Sequence, residues 1–462
     1  MTKKITAIII TLLLIIPFVL GCASEEVQVF SPRPADTVLG NVRYSGNIIS
    51  VLVSDRSANV CNDDIFSAEL FGETLSTEGL YVREAIESEL GVELQYVSVP
   101  SVYTALTEDT AADTKGYSIA YPTLSEFSAG VIDGLFVNLN SVSADAFMAD
   151  YFDDRFRDAV TFNGKTYAVL ESGSVSALRG SFVTFASPEV LGESLTSRLK
   201  TLVLDGSYTI DAQNAIVAEA GSVTDDKIVY GLGSDREICS DVYFSAFDLS
   251  VTKCDGDGRL ILTESTDILE SAYEKIHDLI IINPHTYISE NEDDGSSLAN
   301  MFSTGNLAMT TLEVKYAEKD EIGDNYIILP LPKYSEEQNK YGTYSADFTP
   351  AVIPIGAPDY LCAATVLEGI AAKQKKYTAV PYLDLVTDGM YSKSAETARL
   401  TDLALSVRIF DTAIIYSVFF ENASELIFRY PLAEGKSSNR GTAMLSLKAI
   451  QRVIPDFDRL FE

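Results

Sequence analysis

Hydrophobic and polar positions change period several times along this chain, and the changes mark out strands and helices. Ile48 to Val53 is an apolar, β-branched run broken only by Ser50, which predicts a buried strand. After a polar stretch the spacing turns helical near Glu78 to Leu90, where Gly91 supplies a stop. Val92, Leu94 and Tyr96 then alternate as a strand does, until Pro100. Strand, crossover helix and strand imply a parallel pair. Tyr117 to Tyr121 reads as a third short strand ending at Pro122, with helix from Leu124 to about Asp133. Further strand and helix alternation falls at Lys227–Gly231, Ile268–Ile282, Leu307–Thr311 and Tyr326–Leu331. Helix is expected from Tyr360 to Lys373 and from roughly Ala395 to Phe420. No repeat of fixed period is visible, and the class is α/β.

The first residues have a different pattern. Lys3 and Lys4 precede an apolar run from Ile5 to Leu20, which ends at Val19-Leu20-Gly21-Cys22. That is the layout of a signal peptide. The run is shorter than the roughly 20 residues a membrane-spanning helix needs. A small residue directly before a cysteine resembles the lipobox of bacterial lipoproteins. The resemblance implies a leader over 1–21, lipidation of Cys22, and a home on the extracellular face of the cell membrane. A spacer, 22–46, with Ser31-Pro32-Arg33-Pro34 and little periodicity, would separate anchor from folded body.

Charge narrows the partners. Against 34 basic residues stand 67 acidic ones, a formal charge of −33. Nucleic acid is excluded as a partner by that balance, and an anionic membrane is repelled, so a tether rather than the surface would hold the protein there. With 462 residues and 47% hydrophobic content the chain supports two domains. Apart from Cys22, the cysteines are Cys61, Cys239, Cys254 and Cys362; in an oxidising compartment they permit two disulfides in three pairings, or buried free thiols. Cys239 and Cys254 flank a hairpin or helix-turn segment and are the expected pair. There is no CxxC, and only His277 and His285 are available to join the cysteines, so no zinc site and no other metal is expected. An α/β chain of this length without a phosphate-binding loop favours two similar lobes around a cleft, and no cofactor.

The order of local motifs from Ile48 to Asp411 resembles the family 1 extracellular solute-binding proteins, which include maltose-binding protein and many Gram-positive lipoproteins. Gly72 to Gly91 looks like the family's first helix. Tyr117-Ser118-Ile119-Ala120-Tyr121-Pro122 is similar to the strand whose end carries a ligand-facing loop, and Gly134 to Asn140 to the stretch before the hinge. Phe162-Asn163-Gly164-Lys165-Thr166-Tyr167-Ala168 resembles the hairpin through which the chain first crosses to the second lobe, Asn-Gly being the favoured two-residue turn. Met301 to Thr310 resembles the helix that turns through Gly into a cleft strand. Tyr326 to Tyr334, with Pro330-Leu331-Pro332-Lys333-Tyr334, then Gln338 and Tyr341, is similar to a pattern common in Gram-positive members. Pro381-Tyr382, Lys393 and Arg408 to Asp411 fall where those members carry C-terminal helices.

The resemblance implies a two-lobed periplasmic-binding-protein-like (type II) fold with a central ligand cleft and hinge crossovers. Its N-terminal lobe would be 47–168 plus 306–353, and its C-terminal lobe 169–305 plus 354–462. It also implies a monomeric binder, not an enzyme, that delivers a small solute, by preference a carbohydrate, to ABC permease subunits. Cleft loops after Val53, Ala120, Val169 and Thr311 supply the candidate ligand residues Asp55, Arg56, Tyr121, Thr123, Glu171, Ser172, Glu313 and Lys315. Tyr243 and Tyr382 are candidate stacking platforms from the second lobe.

Two features depart from the family pattern. Phe185 is followed by Ala186-Ser187-Pro188 where an Asn-Lys-Asp is usual, and the chain has no Trp for stacking on sugars. These motivate an alternative: a surface lipoprotein with the same fold serving as adhesin, sensor partner or scaffold, or a binder of a cationic or peptide ligand. Enzyme motifs are isolated. Ser197-Arg198-Leu199-Lys200 lacks its companion motifs, Glu274 to His277 is one half of a di-iron pattern, and Asp255-Gly256-Asp257-Gly258 lacks calcium-loop spacing.

Overall fold

In a computed structural model, residues 42–462 are described apart from 56–67, 144–145, 224–227, 236–238, 290–294, 319–320, 347 and 424. The leader, Cys22, Arg56 and Cys61 lie outside the described residues. Strand β1 (Asn47–Ser54), helix α1 (Ala68–Leu90) and strand β2 (Val92–Val99) form the expected parallel unit, with Asn47 opposite Val92 and Ser54 opposite Val99. Helix α2 (Val102–Ala112), capped by the Ser101 hydroxyl, leads to β3 (Ile119–Tyr121), parallel to β1 on its other side. Helix α3 (Leu124–Ile132) starts with a capping box in which Thr123 and Glu126 satisfy each other's backbone N–H groups. Isolated bridges widen this first sheet beyond β3: Ala120 faces Val352, Ala351 faces Val169, and Glu171 faces Phe152.

The Asn-Gly hairpin forms between β4 (Thr161–Phe162) and β5 (Lys165–Thr166). Asn163 and Gly164 take φ of 48° and 72°, the positive values such a turn requires. The chain does not cross there, however. It stays with the first sheet through Glu171 and crosses only along the short helix α4 (Val175–Arg179) into β6 (Phe182–Ala186). The second lobe continues through α5 (Pro188–Leu204), α6 (Ile210–Ala220), β7 (Leu232–Asp235), α7 (Cys239–Ala246), the hairpin β8 (Thr252–Cys254) and β9 (Leu260–Leu262), and α8 (Thr266–His277). It then runs through β10 (Thr286–Ser289), α9 (Ser296–Ser303), β11 (Met309–Glu313) and β12 (Ile327–Leu329). Its sheet has the order β10-β7-β11-β6-β12.

This order corrects the expected lobe boundary. β11 pairs antiparallel with β6 over its whole length, and β12 pairs with β6 on the other edge, so the segment that holds these two strands goes with the second sheet and not the first. The return crossing comes later, where Ser345 faces Ser181 and Ala351 faces Val169. Helices α10 (Tyr360–Tyr377) and α11 (Ala379–Leu385) then pack on α1 of the first lobe, not on the second. The long helix expected from Ala395 to Phe420 is also broken, into α12 (Ala395–Leu405), α13 (Thr412–Ile415) and α14 (Ser417–Phe420). The first helix stops where Val407 and Ile409 pair with the backbone of Thr343, and Asp411 caps the next one. Its buried carboxylate accepts from Val251 N at 2.5 Å, from Thr252 Oγ1 at 2.7 Å and from Ala413 N at 2.9 Å, a tertiary anchor that restarts the helix.

The C-terminal helix α15 (Arg440–Arg459) completes a core shared by both lobes. Tyr416, fully buried after α13, meets Phe127 of α3 at 5.4 Å, Phe162 of β4 at 6.4 Å and Phe457 of α15 at 5.1 Å between ring centroids. Helices α1 and α5, the first after the leading strand of each lobe, share a feature. Each is broken at a glycine in the left-handed region, Gly72 at φ 75° and Gly192 at φ 72°, inside the like sequences Phe71-Gly72-Glu73-Thr74-Leu75 and Leu191-Gly192-Glu193-Ser194-Leu195.

Candidate functional site

In each sheet the parallel strands end on one edge. β1, β2 and β3 finish at Ser54, Val99 and Tyr121; β7, β10 and β11 finish at Asp235, Ser289 and Glu313. Glu313 pairs with Phe182, the first residue after the crossing, while Glu171 is the last residue before it that pairs in the first sheet. Strand ends of both sheets therefore adjoin the crossing segment, and carboxyl edges of open α/β sheets are where polar groups are offered to ligands.

Several predicted residues lie on these edges. Asp55 is exposed just beyond β1, its backbone N–H donating to Val99 O at 3.0 Å. Tyr121 and Glu171 are buried together, the phenol donating to Glu171 Oε1 at 2.7 Å. Burial pushes the Glu171 carboxyl up to about 7 from the usual carboxylate range, with the Tyr121 hydrogen bond opposing the shift. Glu313 and Lys315 form an ion pair at 2.6 Å beyond β11. Ser172 places its backbone carbonyl under Arg408 at 3.2 Å, and its hydroxyl is buried.

Others are occupied elsewhere. Thr123 spends its hydroxyl on the cap of α3. Tyr243 and Tyr382, expected as stacking platforms, are instead fully buried. Tyr243 sits in α7 with its hydroxyl 3.4 Å from Thr311 Oγ1, and Tyr382 sits in α11, donating to Glu318 Oε1 at 2.7 Å. Glu318 also receives a two-pronged contact from Arg179, 2.7 Å from Nε and 3.1 Å from Nη2, so Tyr382 belongs to a fastener between the hinge helix and α11. The expected Cys239–Cys254 disulfide is not formed. Both are free thiols, Cys239 buried in α7 and Cys254 on the β8–β9 hairpin, and burial raises the Cys239 thiol well above its ordinary value.

Sequence reasoning missed the pairs that join distant segments. Arg408 meets Asp153 at 3.0 Å, both largely buried, and Arg429 grips Asp241 on α7. No local pattern marks partners 255 or 188 residues apart. The Pro-Leu-Pro-Lys-Tyr run proves architectural. Lys333 is buried and its Nζ donates to Gln338 O at 2.9 Å and Glu336 O at 3.2 Å, while Tyr334 N donates to Gln338 Oε1 at 2.8 Å, so the motif staples its own loop. Among the described residues no cluster of His, Cys, Asp or Glu is arranged to hold a metal ion.

No protein-family model matches the chain, and comparison with curated sequences gives no match. Solved structures do match. A cyclo/maltodextrin-binding protein complexed with maltotetraose superposes with a TM-score of 0.57 at 16% identity, covering 89% of this chain and 98% of that one. The fold is the two-lobed one of the solute-binding proteins. The GacH receptor of Streptomyces glaucescens, seen unliganded and with acarbose, gives 0.54 at 13% identity over 90% of this chain and all of that one. An ABC substrate-binding protein of Listeria monocytogenes in complex with cycloalternan gives 0.51 at 12% identity over 89% and 100%. The expected architecture of two lobes around a hinge thus has structural counterparts along nearly the whole chain.

Proposed function

We propose that this protein is the extracellular substrate-binding component of an ABC importer, tethered through Cys22, and that it captures a carbohydrate between its lobes. What supports the reading is that the strand ends of both sheets adjoin the same crossing, with the Tyr121–Glu171 pair just before it and the Glu313–Lys315 pair beyond the strand that pairs with its first residues. Fixed carboxylates, a cation and hydroxyls on strand ends are groups that bind sugar hydroxyls with defined geometry. The structural neighbours seen with maltotetraose, acarbose, cycloalternan and α-D-tagatose support the choice of a carbohydrate.

The site acts by binding alone. In this reading Glu171 takes a solute hydroxyl in the liganded protein, and Tyr121 holds its carboxyl in position. Ordered closure over a solute excludes water and strengthens these polar contacts. The test is thermal unfolding in the presence of glucose, maltose, maltotetraose, acarbose, cyclodextrins, dipeptides and polyamines, since a ligand that binds only the folded state raises the melting temperature. Stabilisation by an oligosaccharide supports the reading. Stabilisation by peptides or polyamines alone replaces the substrate class, and no stabilisation by any of them removes the transport role.

A further inference from the structure

One face of the C-terminal helix contrasts with the rest of the molecule. Along α15, Ala443, Leu447, Ile450 and Phe457 turn into the core, while Met444, Leu445, Lys448 and Arg452 lie together on the opposite, exposed side. Leu445 is 67% exposed and Met444 46%, and Leu426, on the short turn packed against the helix, is 48% exposed. A solvated helix face would carry polar residues at these positions. Lys448 and Arg452 follow the apolar pair one and two turns further along the helix, and neither has an acidic partner among the described residues. In a chain with 67 acidic and 34 basic residues, the stretch from Arg429 to Arg452 carries five basic residues and the single acidic Glu434.

We infer that the Met444, Leu445, Lys448 and Arg452 face of α15 is a docking surface for an anionic lipid bilayer. Its chemistry is that of an interfacial helix: apolar side chains to enter the headgroup boundary, with cations beside them on the same face that pair with lipid phosphates. Charge decides the occupant. The bulk of this protein is repelled by an anionic surface, so a face that combines exposed Met and Leu with cations unpaired among the described residues fixes which side lies against it. The consequence is orientation. A lipid tether alone lets the body tumble, whereas this contact holds α15 down. Binding of this face to an anionic bilayer is independent of the solute, while its role in orientation rests on the proposed tether at Cys22.

The absence of Trp from the chain gives a clean probe, because an introduced Trp is the sole indole. Full-length protein carrying Leu445→Trp is mixed with vesicles of phosphatidylcholine, or of phosphatidylcholine with an equal part of phosphatidylglycerol, and with brominated forms of each. Leu361→Trp, at a 57% exposed site on α10, serves as the control for anchoring by any other part of the chain. The expected result is a blue shift and at least twofold bromine quenching for Leu445→Trp on the anionic vesicles only. Both effects should be lost in high salt and with Lys448→Glu plus Arg452→Glu, with little change for Leu361→Trp. Equal quenching at both positions, or a blue shift that grows with protein concentration without vesicles, overturns the inference; the latter would make the face a contact between copies of the chain.

Discussion

Tyr121 and Glu171 meet at the carboxyl edge of the first sheet, phenol to carboxylate at 2.7 Å, with both side chains buried. Burial alone would leave the carboxylate oxygen without a donor, and the phenol supplies one. Replacing Tyr121 with Phe leaves that oxygen unpaired, at a cost of about 1–3 kcal/mol. Chemical denaturation of the two proteins at neutral pH should show this loss with an unchanged denaturant slope.

The same pair predicts a pH dependence. Glu171 titrates in the folded state at about 7, above the ordinary carboxyl value. Between the two values the folded protein holds a proton that the unfolded chain has released, so stability falls as pH rises through this window and levels off above it. Glu171→Gln removes the ionisation and should flatten the decline between pH 5 and 8 by up to roughly 3 kcal/mol. The check is a comparison of melting temperatures for the two proteins across that range; parallel curves would deny Glu171 its role.

Much of the first lobe was legible in the sequence because its signals are local. The apolar run Ile48–Val53, the stop at Gly91 and the Asn163–Gly164 turn each act within a few residues, and each forms. What was not legible depends on distant partners. The segment that holds β11 and β12 looks like a return to the first lobe until β11 finds β6, and the helical spacing from Ala395 onward gives no sign that Asp411 will be drawn to Thr252. At the candidate site, the family resemblance pointed to Tyr121, Glu171 and Glu313, and these lie at strand ends or bridges of the two sheets. Burial of Tyr243 and Tyr382 was invisible, since an aromatic suited to stacking on a ligand is equally suited to a core.

Arg408 bridges Asp153 and the Ser172 carbonyl, tying the segment after α12 to the edge of the first sheet. Removing one member of a buried pair leaves the other charge uncompensated. Arg408→Ala should cost about 3–5 kcal/mol, and the double change with Asp153→Ala less than the sum of the single changes. A double-mutant cycle by denaturant unfolding measures the coupling.

The thiols offer a chemical check. With Cys239 and Cys254 free and Cys239 buried and raised, iodoacetamide should label Cys239 only after unfolding, and a reductant should leave the melting temperature within about 1 °C. Peptide mapping locates the labelled residues, and a Cys239–Cys254 linked peptide from the native protein would refute the assignment.

Phe457 anchors the C-terminal helix among Phe162, Tyr416 and Phe461, which belong to both lobes. Phe457→Ala opens a cavity in that shared core and should lower stability by about 3–5 kcal/mol. Unfolding should stay a single transition if the cluster joins the lobes; two separated transitions would show that it does not.

The proposed capture of an oligosaccharide is tested most directly by isothermal titration calorimetry of maltotetraose into the wild-type protein and into Glu171→Ala. The account predicts a saturable one-to-one isotherm for the wild type and at least a tenfold weaker one for the variant, a loss of about 1.4 kcal/mol or more. Equal affinity in both proteins, or a flat titration of the wild type with maltotetraose and the other oligosaccharides, would contradict it.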